Sequence, residues 1–185
     1  MKVALLIAGL GFWMAGDGVV QATDPPAIWI DVPYVAQTKE GCGAAAIAMV
    51  MQYWAKKKGK PETTEMDAAK IQELLYSPRQ KGIPASAMEK YFQEEGFKAF
   101  AFHGEWRDLR NQLEKGRPLI VGLKASGNRG PLHYVVVTGL DEVRGYVFLN
   151  DPAVGKMLRI SREGFHEEWE LAKNWTLLAV PSGEK

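Results

Sequence analysis

The chain has 185 residues, 46% of them hydrophobic and 24% charged, and a formal net charge of +1. This composition supports one packed domain and excludes a disordered chain. With no excess of either sign, nothing points to nucleic acid or an anionic membrane surface as a partner.

Residues 1–22 differ from the rest. Lys2 gives a short positive start, and "VALLIAGLGFWMAG" is an apolar run. That run is too short and too glycine-broken for a membrane span of roughly 20 residues. "VQA" then ends at Ala22 with small residues suited to cleavage. The pattern predicts a secretory signal peptide removed after Ala22, with an uncleaved anchor as the alternative. No cysteine near that point invites lipid modification. Residues 23–185 then form one exported domain, periplasmic or secreted, with no stable membrane anchor after cleavage. The sequence does not indicate an oligomeric state.

"DPPAIWIDVPYVAQ" (24–37) reads as an extended, proline-punctuated lead-in. The alanine-rich run 43–58 predicts a helix with Ile47, Val50, Met51 and Trp54 as its buried stripe. Lys56, Lys57 and Lys58 suit its negative C-terminal end, and Gly59 and Pro61 stop it. Further helices are expected over 64–76 and 84–96, the latter with Met88, Tyr91 and Phe92 inward. A strand follows at 97–102, an amphipathic helix at 105–116 and a buried strand at 117–124. The pattern then changes. "LHYVVVTGL" (132–140) and "GYVFLND" (145–151) read as a hairpin, "GKMLRIS" as a third strand, "REGFHEEWE" as a short helix and "WTLLAV" as a closing strand. Helices first and an antiparallel sheet second is an α+β order.

Cys42 is the only cysteine. In an oxidising compartment a lone thiol is buried and inert, paired between molecules, or used. Its place at a helix mouth, where unpaired N–H groups and the positive dipole end favour thiolate, points to use. Gly41 and Gly43 beside it would allow close approach of a substrate backbone. A thiolate nucleophile also needs a base and oxyanion donors. His103 reads as a surface turn residue and His166 as part of a solvated helix face. His133 opens the most apolar strand after the loop "ASGNRGP", either as a rim residue or as the base. Pairing Leu140 with Tyr146 across a five-residue loop sets Val135 opposite Asp151. Asp151 is then a diagonal neighbour of His133 on one face, able to orient the imidazole; otherwise it is a turn residue in "NDP". Gln37 could donate from its side-chain amide beside the Cys42 N–H. A Cys/His/Asp metal site is disfavoured by the absence of closely spaced ligand pairs, and no cofactor is expected.

"VPYVAQ…GCGAAAIAMVMQYW", "LRNQLEKGRPLIVGL", "LHYVVVTGLD" and "YVFLNDPAVG" together resemble the bacteriocin-processing, double-glycine-leader cysteine peptidases of the papain-like clan. The resemblance spans roughly residues 29–181. It implies a papain-like fold, a peptide or protein substrate, Cys42 as nucleophile, His133 as base and then acid, Asp151 as orienter and Gln37 as oxyanion donor. Gly41 stands where many members carry an acidic residue. The spacing from Gln37 to Cys42 is one shorter than in transporter-fused members, so the expectation is a stand-alone exported relative. A transferase using the same residues, or a peptide-binding module that keeps the fold, are the alternative functions.

Overall fold

A computed structural model describes residues 27–127 and 130–184. The expected signal peptide, residues 1–22, lies outside them. The elements are β1 (Ile28–Trp29), α1 (Cys42–Lys57), a 3-10 turn (Thr64–Met66), α2 (Ala68–Leu75), α3 (Ala85–Glu94), β2 (Phe97–His103), α4 (Trp106–Glu114), β3 (Leu119–Leu123), β4 (His133–Asp141), β5 (Tyr146–Asp151), β6 (Gly155–Ser161), α5 (Arg162–Leu171) and β7 (Trp175–Pro181). The sheet is antiparallel and runs β2-β7-β3-β4-β5-β6, with β1 added beside β4. This is the papain-like α+β arrangement the sequence implies: a helical half led by α1, packed on the sheet.

Helix α1 packs against α2, α3 and strands β3, β4 and β7 at once. The four-residue stripe therefore understates its burial, since Ala44, Ala45, Ala46, Ala48 and Met49 are buried too. Small alanine side chains let neighbours close on every side of the helix. The Trp54 indole N–H donates to the Ala179 carbonyl at 3.0 Å and ties α1 to β7.

Two expectations change in detail. The helix expected over 64–76 breaks at Asp67, which caps α2 by accepting the Lys70 N–H at 3.0 Å. A short acid that can bond the backbone favours this helix start over a helix interior. Part of the extended lead-in also becomes a strand, with Ile28 opposite Leu140 and Trp29 opposite Gly139. A Cβ on Gly139 would stand 2.4 Å from the Ile28 carbonyl, so this contact requires glycine there.

The β4–β5 turn is one residue tighter than expected, because Asp141 pairs with Tyr146 and Leu140 with Val147. A bulge then places Thr138 as an extra residue, and Val136 pairs with Asn150. The two offsets cancel. At the far end of the hairpin, His133 and Asp151 lie on one face, as the simpler register had them.

Replacing Trp54 by Phe keeps most of the buried ring but leaves the Ala179 carbonyl unpaired. The expected loss is about 1–3 kcal/mol, read as a lower midpoint in urea unfolding with the slope unchanged.

Candidate active site

The segment before α1 is a tight turn. The Gly41 N–H donates to the Thr38 carbonyl at 3.0 Å, and Glu40 sits in the left-handed region with φ 56°. The Tyr76 hydroxyl donates to the Glu40 carboxylate and pins the turn from α2. Cys42, the first residue of α1, is thereby presented at the edge of a cleft. The flanking glycines do not serve the purpose expected of them. Both are buried, and a Cβ on Gly41 would lie 3.0 Å from the Thr38 hydroxyl and one on Gly43 would lie 3.1 Å from Ile83 Cβ. They make room for the protein's own chain rather than for a substrate.

His133 opens β4 and Asp151 closes β5. The His133 Nε2–H donates to Asp151 Oδ1 at 2.7 Å, and the Ala153 N–H donates to the same oxygen at 2.8 Å. With Nε2 committed to the carboxylate, Nδ1 is the nitrogen left for the Cys42 thiol, and the two side chains are close enough to shift each other's titration. The carboxylate is well covered, with 15% of its side chain exposed against 35% for the imidazole.

These contacts set the charges. Burial pushes the Cys42 thiol up, but the His133 ring, the backbone of Tyr134 and the Gly43 backbone together outweigh it, and the thiol lies below its ordinary value. Burial likewise opposes an imidazolium at His133. The bonds to Asp151 and Cys42 prevail and lift it to about 10. Burial also works against a charged Asp151, whose carboxyl is nonetheless held below the usual range by His133 and the Ala153 and Val154 backbone. Both shifts act in favour of a thiolate–imidazolium pair, and its two members titrate as a unit.

Gln37 lines the same cleft. Its backbone N–H donates to the Pro152 carbonyl at 2.9 Å, which also accepts the Tyr34 hydroxyl at 3.3 Å. Its Oε1 is buried without a partner among the described residues, leaving Nε2 as the end of the amide free to face the cleft. The segment 32–37 is therefore stitched to the turn that carries Asp151. Asn150, which sequence reasoning passed over as part of a turn, is the second stitch. It is buried, donates to the Val32 and Pro33 carbonyls at 3.1 and 3.4 Å and accepts the Met157 N–H at 2.9 Å. A polar amide within a strand, directly before the proposed orienter, was the signal available.

The other two histidines stay apart. His103 bonds the Lys173 carbonyl at the end of β2, and His166 is exposed on α5. The cleft has a volume of about 880 Å³ and includes Ile83, Leu132 and Tyr134. A second cavity of about 870 Å³ between β1, α1 and α4 contains neither cysteine nor histidine. Among the described residues no acidic, cysteine and histidine cluster suits a metal ion.

Residues 29–176 match the Peptidase_C39 like family. The chain belongs to that family. It is thus a cysteine peptidase by class. No curated protein matches it. Solved structures share its fold. The peptidase domain of Streptococcus ComA, a bi-functional ABC transporter involved in quorum sensing, is 24% identical, with 82% of this chain and 99% of that one covered and a TM-score of 0.63. A putative C39-like peptidase from Bacillus anthracis is 17% identical over 84% and 98%, with a TM-score of 0.64. A double glycine motif protease from an AMS/PCAT transporter, solved with its leader peptide, is 23% identical over 83% and 94%, with a TM-score of 0.61.

The charge pair predicts a pH profile. Alkylation of Cys42 by iodoacetamide should set in below the ordinary thiol range near 8.5, and His133→Ala should move that onset upward. A turnover that uses His133 as its acid should have an alkaline limb above the ordinary imidazole value. Asp151→Asn should bring that limb down. A profile with both limbs at unperturbed values contradicts the pair.

Proposed function

We propose that this chain hydrolyses peptide bonds outside the cytoplasm, with Cys42 as nucleophile, His133 as acid and base, Asp151 as orienter and Gln37 as oxyanion donor. The 2.7 Å bond from His133 to Asp151, beside the cleft that Cys42 and His133 both line, carries the proposal. The thiolate attacks the scissile carbonyl carbon, and its oxygen becomes an oxyanion held by the Cys42 N–H and Gln37 Nε2. His133 gives its proton to the leaving amine, the C–N bond breaks and a thioester remains. The neutral ring then takes a proton from water, hydroxide adds to the thioester, and the thiolate departs as the carboxylic acid is released. Asp151 keeps the ring in the tautomer that directs Nδ1 at sulfur.

Two supports bear on substrate and compartment. The transporter-protease relative was solved with a leader peptide, which favours a peptide substrate here. Export rests on the charge, apolar run and "VQA" ending of residues 1–22.

Cys42→Ala should abolish cleavage without unfolding, because alanine continues the helix. His133→Ala should be nearly as severe and Asp151→Asn milder. Gln37→Ala should lower kcat by about 10²–10³, while His103→Ala and His166→Ala should match the parent. Wild-type turnover by Cys42→Ala overturns the mechanism. N-terminal sequencing of the natural protein should begin at Thr23, whereas a full-length cytosolic product overturns export.

A further inference from the structure

The cleft extends from Cys42 to a short turn between α2 and α3. In it the Ser77 N–H donates to the Gly82 carbonyl at 3.0 Å, and the Gln80 N–H donates to the Ser77 carbonyl at 3.1 Å. Lys81 takes a left-handed φ of 51°. The turn is shaped by its backbone, so its side chains are not needed to build it. Those of Arg79, Gln80 and Lys81 line the cleft.

Arg79 and Lys81 are exposed, and among the described residues neither has an ion pair or hydrogen bond. Several other cations of this surface are paired: Lys56 and Lys156 with Asp31, Arg110 with Glu114 and Glu142, Arg144 with Asp141. The acid on the same wall, Glu40, is held by the Tyr76 hydroxyl. The wall thus carries two unpaired cations and one carboxylate, beside an apolar stretch of Ile83, Ala85 and Leu132. A peptide lying along it would meet both aliphatic surface and positive charge.

The leaving amine must depart toward His133, which is tied to Asp151 and the 152–154 turn. The acyl part of the peptide is assigned to the wall formed by 79–85, which lines the same cleft.

We propose that Arg79 and Lys81 form a subsite for a carboxylate on the acyl side of the substrate, so that peptides with Asp or Glu a few residues before the cleaved bond are preferred. This rests on Cys42 being the nucleophile. Gln80 between them can add a neutral hydrogen bond to the same group. Because both cations are exposed, each contributes modestly, about 1.5- to fivefold in rate constant, and screening by salt reduces the effect.

The probes are acetylated tetrapeptide vinyl sulfones built on alanine with glycine next to the electrophile. Glu, Gln or Lys is placed in turn at each position before that glycine. Rate constants for inactivation are read by intact mass, with Cys42 confirmed as the modified residue. At one position or more the order should be Glu faster than Gln faster than Lys, and the spread should shrink between 50 and 500 mM salt. The double variant Arg79→Glu, Lys81→Glu should invert that order, each rate being taken relative to the same variant's rate with the all-alanine probe. Labelling of Cys42 at equal rates by the Glu, Gln and Lys probes overturns the subsite and leaves the peptidase reading standing. A Glu preference that survives the double reversal overturns it too. Failure of every probe to label Cys42 removes the nucleophile, and the subsite with it.

Discussion

The pairing of β4 with β5 is the constraint on which the site depends. His133 and Asp151 belong to different strands, and their 2.7 Å bond exists only because both side chains emerge on one face. Side chains alternate along a strand, so a slip of one residue would send Asp151 to the other side of the sheet. The tight turn at 142–145 taken alone would cause that slip, and the bulge at Thr138 reverses it. A bulge leaves one residue of a strand out of the ladder, and here the carbonyl of that residue is used. Thr138 accepts the Ile30 N–H at 2.8 Å, where the lead-in joins the sheet. One irregularity thus aligns Asp151 with His133 and anchors the start of the segment that ends at Gln37.

From that anchor the lead-in is held twice more to the Asp151 turn, through Asn150 and through the Pro152 carbonyl. Cys42 comes from a separate structure, the central helix, fixed by burial on all sides. The cleft is the junction of these two bodies. Burial by itself would neutralise both the thiol and the imidazole, because taking a charge from water is costly. The thiol is drawn toward thiolate by His133 and fixed backbone groups, and the imidazole toward imidazolium by Asp151 and then by Cys42. The balance therefore depends on how accurately the helix and the sheet meet, which the buried Trp54, bonded to Ala179, helps secure.

Much of this was legible in the sequence for identifiable reasons. Alternation in "HYVVVTGL" and the helical run after Cys42 are local patterns with strong periods, and the elements appear where those patterns lie. The break at Asp67 was missed because capping competes with helix continuation over a single residue. The short strand Ile28–Trp29 was missed because nothing local distinguishes two paired residues from an extended segment; its partner, Gly139, is distant in sequence. Gly41 and Gly43 were read as room for a substrate backbone, but the crowding atoms belong to Thr38 and Ile83, which only tertiary packing brings near.

The register of the hairpin shows how far such reading reaches. A five-residue loop with regular pairing and a four-residue loop with one bulge give the same facing at His133 and Asp151. Alternation constrains which residues share a face, and both solutions satisfy it. It carries no information on where an extra residue is absorbed. Here the position is set by Gly139, the neighbour of the bulged residue, where the close approach of β1 leaves no room for a side chain. The Thr138 hydroxyl is buried there without a partner among the described residues. An unpaired buried hydroxyl costs stability, and this pairing carries that cost. It is the pairing that brings the lead-in, the imidazole and the carboxylate to one place.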